Sequence, residues 1–183
     1  MSFQPLNGHC TCKAITYTIT APPLITVACH CSWCQRESGS AFVLNTQIEN
    51  FNFAITSTAQ PFFVKAPSPS GGGQDIARCP NCYVALFSHY GGNERATTFV
   101  KAGTLDEASR RLVRPEIHIF TSTKAEWVDL EAEAKRGVPV FEGFYELDKV
   151  WNKESLQRRE DNIKRFLEEE AKKELKRNNA NGQ

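Results

Sequence analysis

The chain has 183 residues, 40% of them hydrophobic and 23% charged, with a formal charge of +1. This length suits one domain with an appendage, large enough to bury a core without disulfides. The balanced charge carries no signal for a nucleic-acid or anionic-membrane partner, and no apolar run reaches the length of a membrane span. Met1 to Pro5 shows neither a basic n-region nor an apolar h-region, so no secretory signal is expected. The expected location is the cytoplasm, with the nucleus as a second compartment; thiols there stay reduced.

Lys13 to Thr20 alternates apolar and polar residues, which predicts a half-buried strand with Ile15, Tyr17 and Ile19 on one face. Ala21-Pro22-Pro23 ends it, and Leu24 to Ala28 reads as a second short strand. Residues 41–46, 51–55 and 61–65, rich in Phe, Val and Ile, read as further strands. Ala66 to Gly73 (APSPSGGG) is expected to be a mobile surface loop. Val84 to Ser88, Thr97 to Ala102 and Glu116 to Phe120 follow as strands, with a turn at Gly91-Gly92-Asn93. One helical turn is expected near Leu105 to Ala108. There is no internal repeat and no alternating βα pattern, so a parallel sheet is not expected. The fold class is mainly β, built of short antiparallel sheets.

Asn152 to Arg177 is dense in charge and helix formers and lacks Gly and Pro, which predicts one long C-terminal α-helix. Leu156, Ile163, Phe166, Leu167 and Leu175 make a thin apolar stripe, and Glu168–Lys172 and Glu169–Lys173 are favourable i,i+4 pairs. The stripe is too sparse for a coiled-coil seam, which favours a solvated helix resting on the domain. The sharper alternative is a helix for a protein partner or self-association. Asn178 to Gln183 are expected to fray.

Seven cysteines fall into three tight groups: Cys10 and Cys12, then Cys29, Cys31 and Cys34, then Cys79 and Cys82. An odd count, a reducing compartment and the strained ring of a C-x-C bridge argue against disulfides. Clustering at ligand spacing argues against unrelated core cysteines. Zinc is the reading that remains. Two distant pairs make a closed four-thiolate site, which is structural, and the triplet makes a site with one open position, which is catalytic. Spacing alone also permits the triplet to join one of the pairs. His30, between two ligands, is open to three readings: a fourth ligand, a general base or a surface residue.

Three thiolates on one zinc ion leave a unit of about −1 charge, which weakens the metal as a Lewis acid. Such a site still suits a thiol, which zinc deprotonates on coordination. The expected substrate is therefore a thiol, or a carbonyl compound meeting one. Should such a substrate carry carboxylates, Arg36, Lys65, Arg78 and Lys101 are candidate donors to them, and residues 66–73 a candidate lid.

Three motifs resemble the glutathione-dependent formaldehyde-activating enzyme family, which includes centromere protein V. They are Gly8-x-Cys10-x-Cys12, Cys29-His30-Cys31-x-x-Cys34-Gln35-Arg36-x-Ser38-Gly39 and Cys79-x-x-Cys82. Gly103 to Asp106, Pro115 to Phe120 and Lys124-Ala125-x-Trp127 extend the likeness, which covers about residues 6–146. The resemblance implies a β-tent with two zinc ions per chain. Cys10, Cys12, Cys79 and Cys82 would hold structural zinc; Cys29, Cys31 and Cys34 would hold catalytic zinc. It also implies a carbon–sulfur lyase that handles S-(hydroxymethyl)glutathione, with glutathione as the small-molecule partner. Family members usually carry Gly just after the C-x-C and C-x-x-C pairs, where this chain has Lys13 and Tyr83. The expected division is a zinc-binding β domain over residues 1–146 and a charged helical extension over 147–183. The rival reading is a zinc-stapled β scaffold that recruits a protein through its C-terminal helix.

Overall fold

The computed structural model describes residues 3–68 and 71–181. β1 (Leu6–His9) and β2 (Thr16–Ile19) form an antiparallel hairpin, and β5 (Phe53–Ile55) adds to β2 to make a three-stranded sheet. β3 (Ile25–Cys29) runs into helix α1 (Ser32–Ser38), and β4 (Val43–Glu49) returns beside β3. β6 (Phe62–Ala66), β7 (Gln74–Arg78), β8 (Ala85–Tyr90), β9 (Thr97–Lys101) and β10 (Ile117–Ile119) complete a second sheet. Its seven strands run in the order β10-β3-β4-β9-β8-β7-β6. Two short helices follow the larger sheet's last strands, α2 (Glu107–Arg110) and α3 (Glu131–Lys135). The chain then passes through α4 (Leu147–Val150) into α5 (Lys153–Asn181). Strand takes 28% of the chain and helix 35%, an excess due to the 29 residues of α5.

The expected strands are present with shifted ends, and the sheets are antiparallel with one exception. β10 pairs with β3 in parallel, which corrects the all-antiparallel expectation. The connection between them carries most of the larger sheet, ample for the return that a parallel pair requires. Two strands escaped the sequence reading. β7 (QDIAR) has one strong strand former, and pairing with β6 and β8 on both sides decides its conformation. β1 (LNGH) contains Gly8, which is there for space: a Cβ would lie 2.2 Å from Tyr17 Cζ. The segment before β7 is shorter than the loop expected over 66–73, since Ala66 belongs to β6; positions 69 and 70 lie outside the described residues. Its described part is tied down by the Gly71 N–H to the Ser68 carbonyl (3.0 Å) and the Gly91 N–H to the Gly73 carbonyl (3.2 Å). α5 continues to Asn181, past the expected fraying point, and positions 182–183 lie outside the described residues.

Two apolar clusters follow from the alternation of strand side chains. Tyr17 and Ile19 from the small sheet meet Ile48, Phe87 and Val100 from the large one. On the other side, Ile25, Val27, Ile117 and Ile119 pack under Tyr145 and Trp151, whose Nε1–H donates to the Tyr145 hydroxyl at 2.9 Å. Each buried aliphatic or aromatic side chain contributes about 1.5–3 kcal/mol.

The N-terminal half of α5 rests on the body through part of its apolar stripe, with Leu156 against the second cluster and Ile163 and Phe166 half-buried, and through polar groups. Ser155 and Asn162 are buried, while Leu167 and Leu175 are exposed. Arg158 Nε and Nη2 each donate to the Glu49 carboxylate at 2.8 Å, and Asn162 Nδ2 donates to the Ala96 carbonyl at 2.7 Å. Arg159 pairs with Glu94, and the Arg165 guanidinium sits 4.2 Å over the Phe51 ring. On its free surface Arg165 pairs with Glu169 and Lys173 with Glu170. Among the described residues no helix is long and apolar enough to cross a membrane.

Candidate metal centres

Cys10 and Cys12 lie in the turn after β1, and Cys79 and Cys82 in the turn between β7 and β8. One turn belongs to the small sheet and the other to the large one, and the fold brings them together. All four sulfurs lie within 4.8 Å of one another. Cys10 Sγ is 3.5 Å from Cys12 Sγ, which is 3.7 Å from Cys79 Sγ. Four sulfurs on a tetrahedral zinc, at about 2.3 Å each, sit about 3.8 Å apart, so the donor set fits that ion. Cys10 and Cys79 are wholly buried, Cys82 is half-buried and Cys12 is exposed. Burial pushes the Cys10 thiol up to about 12. Metal binding would reverse that cost by taking the thiolate.

The two turns are built alike. The Cys10 N–H donates to the Ile15 carbonyl (3.1 Å), and the Lys13 N–H donates to the Cys10 carbonyl (2.9 Å). Likewise the Cys79 N–H donates to Val84 and the Tyr83 N–H to Cys79, both at 3.0 Å. A backbone N–H points at a sulfur in each turn, Ile15 to Cys10 Sγ and Asn81 to Cys79 Sγ, both at 3.4 Å. Lys13 and Tyr83 hold φ of 59° and 60°, the left-handed conformation, without being glycine. A side chain in that region costs about 1–2 kcal/mol, part of which a glycine returns as chain entropy in the unfolded state. Lys13→Gly is therefore expected to raise stability by about 0.5–1 kcal/mol in urea denaturation. A loss of stability would show that the lysine side chain itself holds the turn.

The triplet occupies a strand-to-helix corner. Cys29 ends β3, Cys31 caps α1, and Cys34 lies in the first turn of α1. The three sulfurs also lie within 4.8 Å of one another, and the group could hold a metal ion. The Cys34 N–H donates to Cys31 Sγ at 3.4 Å. Hydrogen bonds from the Cys29 and Cys34 thiols hold the Cys31 thiol well below its ordinary range, and the same sharing, added to burial, pushes Cys29 up. The cluster thus favours a thiolate at Cys31 before any metal arrives.

His30 is wholly buried, so it is not a surface residue. Its Nε2 lies 2.9 Å from Nδ1 of the buried His118, and its ring lies 5.0 Å from that of Phe42. Its carbonyl accepts from Gln35 Nε2 (2.6 Å) and Thr123 Oγ1 (3.1 Å), which pins the corner that carries the triplet. Neither His118 nor Thr123 was marked by spacing. Their link to His30 depends on the β3–β10 pairing, which no local pattern announces.

The four candidate cations separate. Lys101, at the end of β9, and Arg78, at the end of β7, converge on Glu37 of α1 at 3.3 and 3.1 Å. A hydrogen bond with Cys29 lowers the Cys34 thiol, but sharing with Cys31 and burial outweigh it and push the thiol up to about 12, with Lys101 adding only a weaker lowering. Among the described residues Arg36 reaches only the Ser32 carbonyl on its own helix, at 3.5 Å. Lys65 pairs with Asp75 at the opposite end of the sheet and is not brought to the triplet. Glu37, which gathers the two useful cations, was missed because their convergence needs the register of four strands.

A family model described as glutathione-dependent formaldehyde-activating enzyme matches residues 5–123. No curated protein matches the chain. A solved structure, the crystal structure of a Rhodobacter sphaeroides protein, is similar at 15% identity and a TM-score of 0.44. That likeness covers 60% of this chain and 96% of the other, and is too distant to bear on the fold or the site.

Proposed function

This chain belongs to the glutathione-dependent formaldehyde-activating enzyme family, and on that premise we propose that it is a zinc-dependent carbon–sulfur lyase. Its substrate is a glutathione-type thiol adduct of formaldehyde or another small carbonyl compound. In the synthetic direction a carbon–sulfur bond forms between thiol and carbonyl carbon, and the thiol proton ends on the carbonyl oxygen. The lyase direction reverses this. The observation that carries the reading is a three-sulfur cluster standing apart from a four-sulfur one.

Cys10, Cys12, Cys79 and Cys82 would hold a structural zinc, and Cys29, Cys31 and Cys34 a catalytic one. When bound at the triplet, zinc supplies a thiolate at neutral pH and polarises a carbonyl oxygen. The chain does the rest. The Cys34 N–H and the shared thiol protons favour charge at Cys31. The pinned His30 carbonyl keeps the corner rigid, and Lys101 sets a positive charge beside Cys34. We place this chemistry in residues 1–146, with 147–183 as an extension, and in the cytoplasm, where thiols stay reduced.

Zinc per chain and turnover of S-(hydroxymethyl)glutathione test the reading. In Cys31→Ser, zinc is expected to fall from two to one, and turnover by more than about 100-fold, with the circular dichroism spectrum unchanged. Persistent turnover in a folded Cys31→Ser protein would overturn the proposal.

A further inference from the structure

Helix α1 carries Cys34 and is capped by Cys31, yet none of its seven residues is buried. A helix this short is not stable alone, and without a buried face its position depends on its tethers. Among the described residues two of its side chains bond to the body. On one side Gln35 Nε2 donates to the His30 and Thr123 carbonyls at 2.6 and 2.8 Å. On the other, Glu37 takes one cation on each carboxylate oxygen. Arg78 Nη2 donates to Oε1 at 3.1 Å, and Lys101 Nζ lies 3.3 Å from Oε2. The Glu37 and Lys101 side chains are only 13% and 12% exposed, so salt and water screen this cluster little.

Arg78 has a second contact, at the other cysteine cluster. It directly precedes Cys79, and its Nη1 donates to the Tyr83 carbonyl at 3.0 Å. Tyr83 closes the turn that holds Cys79 and Cys82, through the bond from its own N–H to the Cys79 carbonyl. One planar guanidinium therefore spans two elements. The first is the turn with two ligands of the four-sulfur cluster; the second is the helix with a ligand of the three-sulfur cluster. The β7–β8 ladder is irregular at this point: Ala77 lies opposite Phe87 and Arg78 opposite Ala85, which skips Leu86. An extra residue of this kind re-aims the side chains beside it, and here it lies where Arg78 leaves the sheet for α1.

We propose that Arg78 and Glu37 are positioning residues that couple the two metal centres. With a metal ion on Cys10, Cys12, Cys79 and Cys82, the Tyr83 carbonyl is fixed. Arg78 carries that constraint to Glu37, and Glu37 holds α1 where Cys34 can share an ion with Cys29 and Cys31. Without that ion the turn loosens, and α1 loses one of its two tethers. The coupling is reciprocal in affinity, as linkage requires. It rests on the reading of the triplet as a metal centre.

The test is a double-mutant cycle on the zinc affinity of the triplet, read by competition with a chromophoric chelator. The zinc that is missing from Cys31→Ser identifies the triplet. Arg78→Met cuts the link, and Cys12→Ser weakens the four-sulfur site at its exposed ligand. Each is expected to lower the triplet's affinity about tenfold, and the two together no further than either alone. Glu37→Gln should match Arg78→Met. Unchanged affinity in Arg78→Met, or losses that multiply in the double variant, would overturn the coupling. Should Cys12→Ser not fold, Arg78→Lys decides. Lysine keeps a charge for Glu37 but has no fork to span both partners. Its melting temperature is expected to stay within about 2 °C of the unaltered chain, while triplet affinity falls as in Arg78→Met. Full affinity in Arg78→Lys would likewise overturn the proposal. If Cys31→Ser loses no zinc at all, the triplet is not a metal centre, and that reading falls together with the coupling.

Discussion

Changing Cys79 to serine is expected to lower the melting temperature by more than about 15 °C, and a strong chelator should do the same to the unaltered chain. Structural zinc contributes on the order of 10 kcal/mol in small zinc domains, comparable with the whole stability of an ordinary domain. Here the four sulfurs join a turn of the small sheet to a turn of the large one. Cys79 is wholly buried, 3.7 Å from the sulfur of Cys12 across that junction. Losing one ligand from a closed site leaves both the metal and the remaining thiols poorly satisfied. The experiment is a thermal melt with zinc analysis on each sample. Cys31→Ser serves as the contrast, since an open corner site on one strand and one helix should cost far less. An unchanged melting temperature in Cys79→Ser would show that the four sulfurs merely pack together.

The second large effect concerns the C-terminal helix. Arg158→Ala is expected to destabilise the protein by about 3–5 kcal/mol, because it strands a buried carboxylate. The Glu49 side chain is 2% exposed; besides two bonds from Arg158, it accepts one from Asn52 Nδ2 at 3.2 Å. The same guanidinium donates to the Pro22 carbonyl at 2.8 Å, so one side chain serves two parts of the body. Proteolysis should then trim α5 faster than in the unaltered chain. Pairing Arg158→Met with Glu49→Gln should recover most of the loss, since removing both charges leaves none uncompensated. A melt of Arg158→Ala that matches the unaltered chain would mean that packing of Trp151 and Tyr145, and not this pair, holds the helix down.

Strands with clear alternation, such as the stretch around Tyr17, were legible because each residue there reports its own side of the sheet. β7 was not, because Gln74, Asp75 and Arg78 take their conformation from neighbours on both sides. The parallel β10–β3 pair was also illegible. Strand direction in a sheet depends on where a distant segment returns, which local composition does not carry. α5 was legible from its composition, and Leu156, Ile163 and Phe166 of its thin stripe face the body, but the polar part of its contact face was not legible. An apolar stripe is visible in sequence, whereas the value of Arg158, Ser155 and Asn162 depends on Glu49 and the Ala96 carbonyl waiting opposite.

The cysteine groups show the same division within the site. Spacing alone determined that there are three short cysteine-bearing segments and that one of them carries three thiols, because the reach of a tight turn is a local property. Only the tertiary structure decided that the two pairs close on each other and exclude the triplet. It alone turned His30 inward to His118, drew Arg78 and Lys101 to Glu37, and left Lys65 at the far end of the sheet. Ligand spacing is written along the chain, where covalent geometry limits it to a few residues. Partnership between segments tens of residues apart is written in strand register, which exists only once the sheets have formed.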